Sequence, residues 1–386
     1  MSLNIKSSLF IALLVVTAVV FIRWFSLGQD ISTFIVAGSQ FVNESSHESI
    51  VINEGPGYDG QFFYRYSLDP SGSVDKGIEV DHPAYRHQRI IYPVIVWILS
   101  FGIDSLVPFN MVLVNIIALL FSCFFLEKIL GKLNYPKIWA LTPLLLSGVW
   151  MGLGRNLAEV LELFFLCALL YQIHLKNYWL ISLFTVLCLF NRESTALIIL
   201  PASLSLAWMI FRVDKLKTTA IFNYLLLFIP YGLVFLWKIF LFKFHGSETL
   251  VEGGGNLTFP FLGIYHSLVL VTKNVSSLID WVELGIWIFH FTWNIWLALI
   301  CYKLLFVKSE KIPLYLIWMW VSGFFFALLF SNSIYSDDWS FARVLTGFNF
   351  ISFLVIFYSG ERPSKLFLLY TFALTVTTLG RLWIRV

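Results

Sequence analysis

Long apolar runs alternate with short polar segments along most of the chain. An α-helix needs roughly 20 apolar residues to cross the hydrocarbon core of a bilayer, and eleven runs approach that length. We predict a transmembrane helix for each run, at residues 9–25, 107–126, 138–153, 156–174, 178–191, 195–211, 219–242, 284–306, 313–330, 344–359 and 365–382. Several runs are short, which indicates tilted or partly buried helices. The pattern predicts an all-α polytopic membrane protein with a single domain over residues 1–386.

Two longer polar segments, 29–103 and 243–283, interrupt the predicted bundle. The first ends in an apolar stretch, 90–103, whose length of about fourteen residues fits an interfacial helix better than a crossing. Lysine and arginine favour the cytoplasmic side of a membrane. With the first polar segment left out of the count, thirteen of them lie on the cytoplasmic side and eight on the other if 90–103 does not cross, whereas a crossing reverses the excess. We therefore predict both segments on the outer face, although Arg381 then lies outside, against the rule.

Composition narrows the class of protein. Hydrophobic residues make up 59% of the chain and charged residues 13%, with a mean hydropathy of +0.81. Soluble domains contain roughly 25% charged residues, so a water-soluble enzyme and a disordered chain are excluded. A net charge of +3 is too small to indicate a nucleic-acid partner. The cysteines lack the spacing of a zinc site, and we expect buried thiols at Cys123, Cys167, Cys188 and Cys301.

One aspartate of the first outer segment has unusual neighbours. Asp59 lies in the segment 57–64, which reads Gly-Tyr-Asp-Gly-Gln-Phe-Phe-Tyr. Glycines allow the backbone to approach a ligand closely, and aromatic rings cover sugar faces or lie at the membrane boundary. A glycine turn closed by aromatic packing would produce the same pattern, so a ligand site and a structural turn both stay open.

Arginines follow at the end of the same segment. Arg86 and Arg89 are three residues apart, so on a helix they share a face. They precede the apolar stretch, at the depth of a lipid headgroup, and the planar fork of arginine binds two phosphate oxygens at once. Arginines that merely anchor an interfacial helix would have the same spacing.

Further charges gather at the outer ends of predicted spans: Arg155 with Glu159 and Glu162, Arg192 with Glu193, and Asp337, Asp338 and Arg343. Ionisable groups inside a membrane are costly and are usually paired or functional. Glu159 and Glu162 could pair with Arg155 or Arg192 for purely structural reasons. Because every cluster lies on the side of the large segments, we predict one outward-facing polar cavity.

The chain resembles the GT-C superfamily of integral-membrane glycosyltransferases, which use polyprenyl-phosphate sugars. The resemblance rests partly on the position of the first outer segment, which follows directly after the first predicted span. It also rests on four short motifs: Tyr58-Asp59-Gly60-Gln61-Phe62, the Asp-x-Pro-x-Tyr-Arg-x-x-Arg-Ile-x-Tyr-Pro pattern of 81–93, Asn191-Arg192-Glu193, and Trp339-x-x-x-Arg343-Val344. It implies a GT-C-like bundle and a bacterial inner-membrane enzyme with its site facing the periplasm. Members that modify proteins or lipid A carry an Asp-Glu pair here, whereas Asp59 is followed by glycine, so those acceptors are not supported.

The resemblance also implies roles for individual residues. Asp59 would be the catalytic base, and Arg86, Arg89 and Arg343 would hold the donor phosphate. We further predict substrate contacts from neighbouring polar and aromatic residues, namely Tyr58, Gln61, Tyr64, Arg192, Glu193 and Asp338. An inverting single displacement needs one essential carboxylate, where a retaining one usually needs two.

The expected partners are a lipid-linked sugar donor, a glycan, lipid or glycolipid acceptor, and membrane lipids. No ligand spacing identifies a metal, although carboxylates of the first segment could hold Mg²⁺ or Mn²⁺, so a cofactor is left open. An O-antigen polymerase or ligase is one alternative, but those enzymes place their large outer loop late in the chain. A transporter or flippase is another, but the sequence has no internal repeat and its charges favour one face.

Overall fold

Helices form wherever the apolar runs of the sequence are long. The computed structural model describes residues 8–43, 50–214, 217–246, 255–273 and 275–384. Within these ranges the chain is helical apart from loops and one pair of two-residue strands, β1 (Ala37–Gly38) and β2 (Ile52–Asn53), which run parallel. The prediction of an all-α fold is therefore confirmed.

The described α-helices fall into three stretches of the chain. The first contains α1 (Ser8–Ser26), α2 (Gly60–Leu68), α3 (Pro83–His87), α4 (Ile91–Leu99) and α5 (Val107–Lys132). The second contains α6 (Ser147–Gly154), α7 (Glu159–Leu175), α8 (Tyr178–Asn191), α9 (Ala196–Asp214) and α10 (Thr218–His245). The third contains α11 (Leu262–Lys273), α12 (Leu278–Val307), α13 (Leu314–Leu328), α14 (Asn332–Tyr335), α15 (Asp338–Val344), α16 (Thr346–Tyr358) and α17 (Lys365–Ile384).

Six described helices are long and apolar enough to cross a membrane. They are α1, α5, α9, α10, α12 and α17, and a seventh candidate arises if α15 and α16, which meet at a bend of 52°, form one span. Large apolar side chains of α10, such as Phe235 and Leu236, are exposed, as expected for a surface that contacts lipid. These features fit an integral membrane protein.

One predicted helix differs in the structure, and the stretch predicted not to cross the membrane contains a short helix. The predicted helix 138–153 is wrong as one element, because a 3-10 helix (Lys137–Leu145) and α6 meet at Leu146, which is extended. Pro143 explains why the first piece is not an α-helix, since proline lacks a backbone N–H and its ring collides with the preceding turn. In the stretch 90–103, α4 has nine residues. At about 1.5 Å per residue such a helix is too short to cross a bilayer alone.

The centre of the bundle contains helices that are apolar on all sides. In α16, every residue from Thr346 to Phe357 is buried, and α7 is buried over most of its length. A helix without a polar face is stable only when neighbours surround it. All four cysteines are buried and free, as the sequence predicted.

A close backbone contact joins α6 to the helix that carries Arg343. A Cβ added at Gly148 would lie 2.3 Å from the Ala342 carbonyl oxygen and 2.1 Å from the Thr346 hydroxyl oxygen. A carbonyl oxygen cannot move without its helix. The absence of a side chain at Gly148 therefore sets the position of α15.

We expect Gly148→Ala to destabilise the protein by about 1–3 kcal/mol, because overpacking forces α6 away from α15. The midpoint of thermal unfolding of the purified protein in detergent measures the effect. Gly232→Ala is the matched control, since Gly232 lies in α10 with open space around it. An alanine there should leave the midpoint equal or higher. Equal midpoints for the two variants would contradict the assignment.

A histidine pair fastens α3 to the end of α10. His87 Nε2 donates to the Pro70 carbonyl at 2.9 Å, and His87 Nδ1 lies 3.0 Å from His245 Nε2. The ring of His87 stacks on Tyr66, with 4.4 Å between ring centroids. Burial, with smaller contributions from His245 and Arg65, lowers the pKa of His87 to about 4 against the opposing effect of the Pro70 carbonyl.

Because the folded protein keeps His87 neutral, we expect this residue to make stability fall on acidification. The effect should be absent above the ordinary histidine pKa of about 6.5 and should grow as the pH falls toward about 4. Thermal midpoints recorded across this range should vary less with pH in His87→Phe than in the unmodified protein. His266→Phe, at an exposed position, should retain the original dependence. An unchanged profile for His87→Phe would contradict the assignment.

Candidate functional site

Tight backbone packing fixes Asp59 on both sides. A Cβ at Gly60, the first residue of α2, would lie 2.3 Å from the Arg155 carbonyl oxygen. Gly57 has a φ of +64° and would approach the Gly38 backbone nitrogen at 2.5 Å. Glycine has no Cβ, so it alone avoids these backbone collisions and adopts a positive φ at low cost. Backbone contacts therefore explain these glycines. This matches the structural turn, one of the two interpretations that the sequence left open.

The carboxylate of Asp59 bridges two arginines. Its Oδ1 lies 2.9 Å from Arg86 Nη1, and its Oδ2 lies 2.7 Å from Arg343 Nη2. Arg86 also donates to both oxygens of Asp81, at 2.8 and 2.6 Å, and its guanidinium lies 4.4 Å from the centroid of the Phe62 ring. Three residues that the sequence marked as catalytic or phosphate-binding thus meet at one point.

The charge of Asp59 is set by opposing influences. Burial raises its pKa, but the charges of Arg343 and Arg86 outweigh burial and hold the pKa well below the ordinary range. The side chain retains 16% of its exposed surface. Asp59 is therefore an ionised carboxylate that a ligand can reach, and its low basicity depends on the two arginines that hold it.

Arg89 binds a different carboxylate from Arg86. α3 ends at His87, and Arg89 turns toward Glu193, with its Nε and Nη2 donating to the two carboxylate oxygens at 3.0 and 2.8 Å. Arg89 Nη2 also donates to the Tyr85 hydroxyl at 2.5 Å. The prediction that Arg86 and Arg89 act from one helix face is therefore replaced by two separate ion pairs.

A cavity of about 410 Å³ lies beside these pairs, within the range of about 300–1,000 Å³ that is typical of ligand sites. Arg89, Arg192, Glu193 and Lys238 contribute its charged lining. Its apolar lining comes largely from α9 and from the end of α13 with the following loop, and includes Leu197, Phe326, Phe330 and Ile334. The cavity thus combines cations with an apolar wall. Its wall also includes Val344, the neighbour of Arg343.

Arg192 compensates two buried glutamates. Its Nη1 donates to Glu162 at 3.0 Å and lies 3.6 Å from Glu159, and all three residues are less than 5% exposed. The Thr195 hydroxyl also donates to Glu162. Glu159 connects this group to the first one, since it lies 3.8 Å from Arg343. Glu159 and Glu162 therefore form ion pairs with Arg192, which is one of the two structural pairings that the sequence allowed.

Asp338 belongs to a neighbouring cluster. Arg381 donates to Asp338 at 2.5 Å and to Glu283 at 2.6 Å, and His290 Nε2 lies 3.6 Å from Asp338. The ring of Trp339 separates this cluster from Arg155, because the guanidinium carbons of Arg381 and Arg155 lie 4.5 and 4.3 Å from its centroid. Arg381, which the predicted topology places on the outer face against the preference of basic residues for the cytoplasmic side, thus has two carboxylate partners.

The three remaining residues predicted to contact the substrate, Tyr58, Gln61 and Tyr64, lie in different environments. Tyr58 lies in the site, with its ring centroid 4.1 Å from the Arg155 guanidinium carbon and 5.0 Å from that of Arg343. The amide of Gln61 accepts from the Gly38 N–H and donates to the Pro56 carbonyl, so it holds the loop. Tyr64 is 2% exposed within the apolar core, and burial raises its pKa to about 12. Gln61 and Tyr64 thus have packing roles in this arrangement.

Several site residues received no role from the sequence. Asp81 fixes Arg86, Lys238 lines the cavity, and Glu283 and His290 surround Asp338. The spacing between Asp81 and Arg86 was the only available signal, since the other residues come from separate helices. Among the described residues, no group of three or more His, Cys, Asp or Glu side chains could hold a metal ion. No family model, curated protein or solved structure matches this chain.

We expect Arg192→Met to destabilise the protein by about 3–5 kcal/mol, because it leaves buried glutamates without a compensating charge. The thermal midpoint measures the loss. Adding Glu159→Gln and Glu162→Gln should restore most of the lost stability, because the two uncompensated carboxylate charges are then removed. If Arg192→Met instead kept full stability and lost only ligand binding, Arg192 would be the substrate contact that the sequence predicted.

Proposed function

We propose that this protein is a membrane glycosyltransferase that moves a sugar from a polyprenyl-phosphate donor to an acceptor hydroxyl. In this proposal the bundle crosses a bacterial inner membrane about eleven times, and the segments 29–103 and 243–283 face the periplasm. Residues 247–254 and 274 of the second segment lie outside the described residues. The proposal rests on the residues around Asp59 and on the cavity beside them.

The observation that carries the proposal is a partly exposed carboxylate held by two arginines, together with a cavity that is both cationic and apolar and whose wall includes Val344, the neighbour of Arg343. A second cavity, of about 940 Å³, lies between α9 and α13 and is lined by apolar residues such as Pro201, Trp208 and Trp318. The two cavities follow one another along the same two helices. Together they suit an anionic headgroup with a long hydrocarbon chain.

The residues supply each function that the transfer requires. The acceptor oxygen would attack the anomeric carbon while its proton passes to Asp59. The bond from that carbon to the phosphate oxygen would break, and the electron pair would leave with the polyprenyl phosphate. Arg343, Arg86 and Arg89 would stabilise the negative charge on the departing phosphate.

The ion pairs of Asp59 also indicate how its basicity is controlled. A carboxylate with two arginine partners is a weak base. When a donor phosphate attracts part of the same cationic charge, the pKa of Asp59 rises toward its ordinary value. The base would therefore become effective only with the donor in place, which limits proton uptake in the empty site.

In a purified-protein assay we expect Asp59→Asn to lose well over about 100-fold in turnover, because the amide cannot accept the proton. Donor-dependent thermal stabilisation by a panel of polyprenyl-phosphate sugars should persist in this variant, since the arginines remain. Asp104→Asn is the control, at a surface carboxylate that pairs with Lys76.

Each part of the proposal can fail separately. Near-normal turnover of a folded Asp59→Asn variant would remove Asp59 from the role of base. Absence of stabilisation of the unmodified protein by every lipid-linked sugar would count against the glycosyltransferase itself.

A further inference from the structure

Arg155 differs from the other arginines of the site. It is 8% exposed, its Nε has no hydrogen-bond partner, and it forms no ion pair with a described residue. The other five arginines each have a carboxylate oxygen within 3.0 Å: Arg86, Arg89, Arg192, Arg343 and Arg381. The sequence suggested that Glu159 and Glu162 could pair with Arg155, but both glutamates form ion pairs with Arg192.

Two aromatic rings hold the guanidinium of Arg155. Its central carbon lies 4.1 Å from the Tyr58 ring centroid and 4.3 Å from the Trp339 ring centroid. Stacking of this kind stabilises a cation through the ring faces and leaves the N–H groups at the edge of the guanidinium plane. Those N–H groups form the fork that binds a carboxylate or phosphate through two oxygens.

The next residue also has unmet hydrogen-bonding capacity. Asn156 is fully buried, neither its amide nitrogen nor its amide oxygen has a partner within the described chain, and its φ is +51°. Buried polar groups are nearly always paired, and a left-handed asparagine adds backbone strain. The charge of Asp337 acts on Arg155 only from beyond ion-pair distance. A buried cation without an ion pair, followed by an unpaired amide, is costly for folding alone, which points to a ligand at this turn between α6 and α7.

We propose that Arg155 binds an anionic group, a phosphate or a carboxylate, carried by the acceptor substrate. The assignment rests on the proposed function. Tyr58 lies between Arg155 and Arg343 and immediately precedes Asp59, so the anion would lie beside the base. The site would then bind two anions at once, the donor phosphate and the second anionic group.

The geometry favours the acceptor over the donor as the source of this second anion. Arg89 and Lys238 line the cavity proposed for the donor headgroup, and Arg155 is absent from its wall. In an inverting displacement the nucleophile and the leaving group lie on opposite sides of the anomeric carbon. Because Arg155 contacts Tyr58 and lies outside the wall of that cavity, its anion is suited to the acceptor.

The test measures anion binding without turnover. Purified full-length protein is first saturated with decaprenyl phosphate, and inorganic phosphate is then titrated at constant ionic strength while the thermal midpoint is followed. We expect phosphate to stabilise the unmodified protein further, and Arg155→Gln to weaken its apparent affinity at least about tenfold, as expected for loss of a bidentate contact. Arg155→Lys, which keeps the charge but not the fork, should give an intermediate affinity and also covers the case in which Arg155→Gln does not fold.

Arg212→Gln is the matched control, because Arg212 stacks on Trp208 at 5.0 Å but is exposed on α9. It should leave phosphate binding unchanged. Equal phosphate affinities for the unmodified protein and both Arg155 variants would overturn the proposal.

A second comparison identifies the source of the anion. Decaprenyl monophosphate and decaprenyl diphosphate are bound in turn to the unmodified protein and to Arg155→Gln. Unchanged binding of both lipids supports the acceptor assignment, whereas a loss for either lipid would overturn it in favour of the donor. If phosphate binds through Arg155 but neither lipid binds, the glycosyltransferase proposal fails and the anion site stands.

Discussion

The ion pairs of Asp59 with Arg86 and Arg343 connect the parts of the chain on which the site depends. Asp59 and Arg86 lie in the polar segment before α4, and Arg343 lies in α15, near the end of the chain. No apolar contact could specify this junction as closely, because an ion pair in a poorly hydrated place is stable only at short distance and in good geometry. The ion pairs therefore fix the position of a segment that apolar side chains such as Phe63 and Tyr64 also pack against the bundle.

This junction is one part of a longer series of alternating charges. Starting at the surface, each group contacts the next in the order Asp81, Arg86, Asp59, Arg343, Glu159, Arg192 and Glu162. The series passes from a partly exposed loop into the buried end of α7. Every carboxylate in it depends on a neighbouring arginine, so a ligand that draws on one arginine alters the balance of the others. Such coupling is stronger in a low-dielectric interior than in water.

Arg155 and Asp59 represent two ways of holding charge in the same small region. Asp59 is overcompensated, with two cations on one carboxylate, whereas Arg155 has aromatic rings in place of a carboxylate. The first arrangement lowers the basicity of the carboxylate, and the second leaves the N–H edge of a guanidinium without an ion-pair partner. The ring of Tyr58 lies near both Arg155 and Arg343.

The sequence by itself determined the helical membrane class and the buried cysteines, and it singled out Asp59, Arg86 and Arg343, which the structure brings together. Those properties follow from local composition and from the cost of placing charges near apolar runs. Tertiary structure alone decided the partners. Whether Glu159 pairs with Arg155 or Arg192 depends on how α7 and α8 pack. An ion pair is fixed by distances of a few ångströms between remote helices, and no spacing along the chain contains that information.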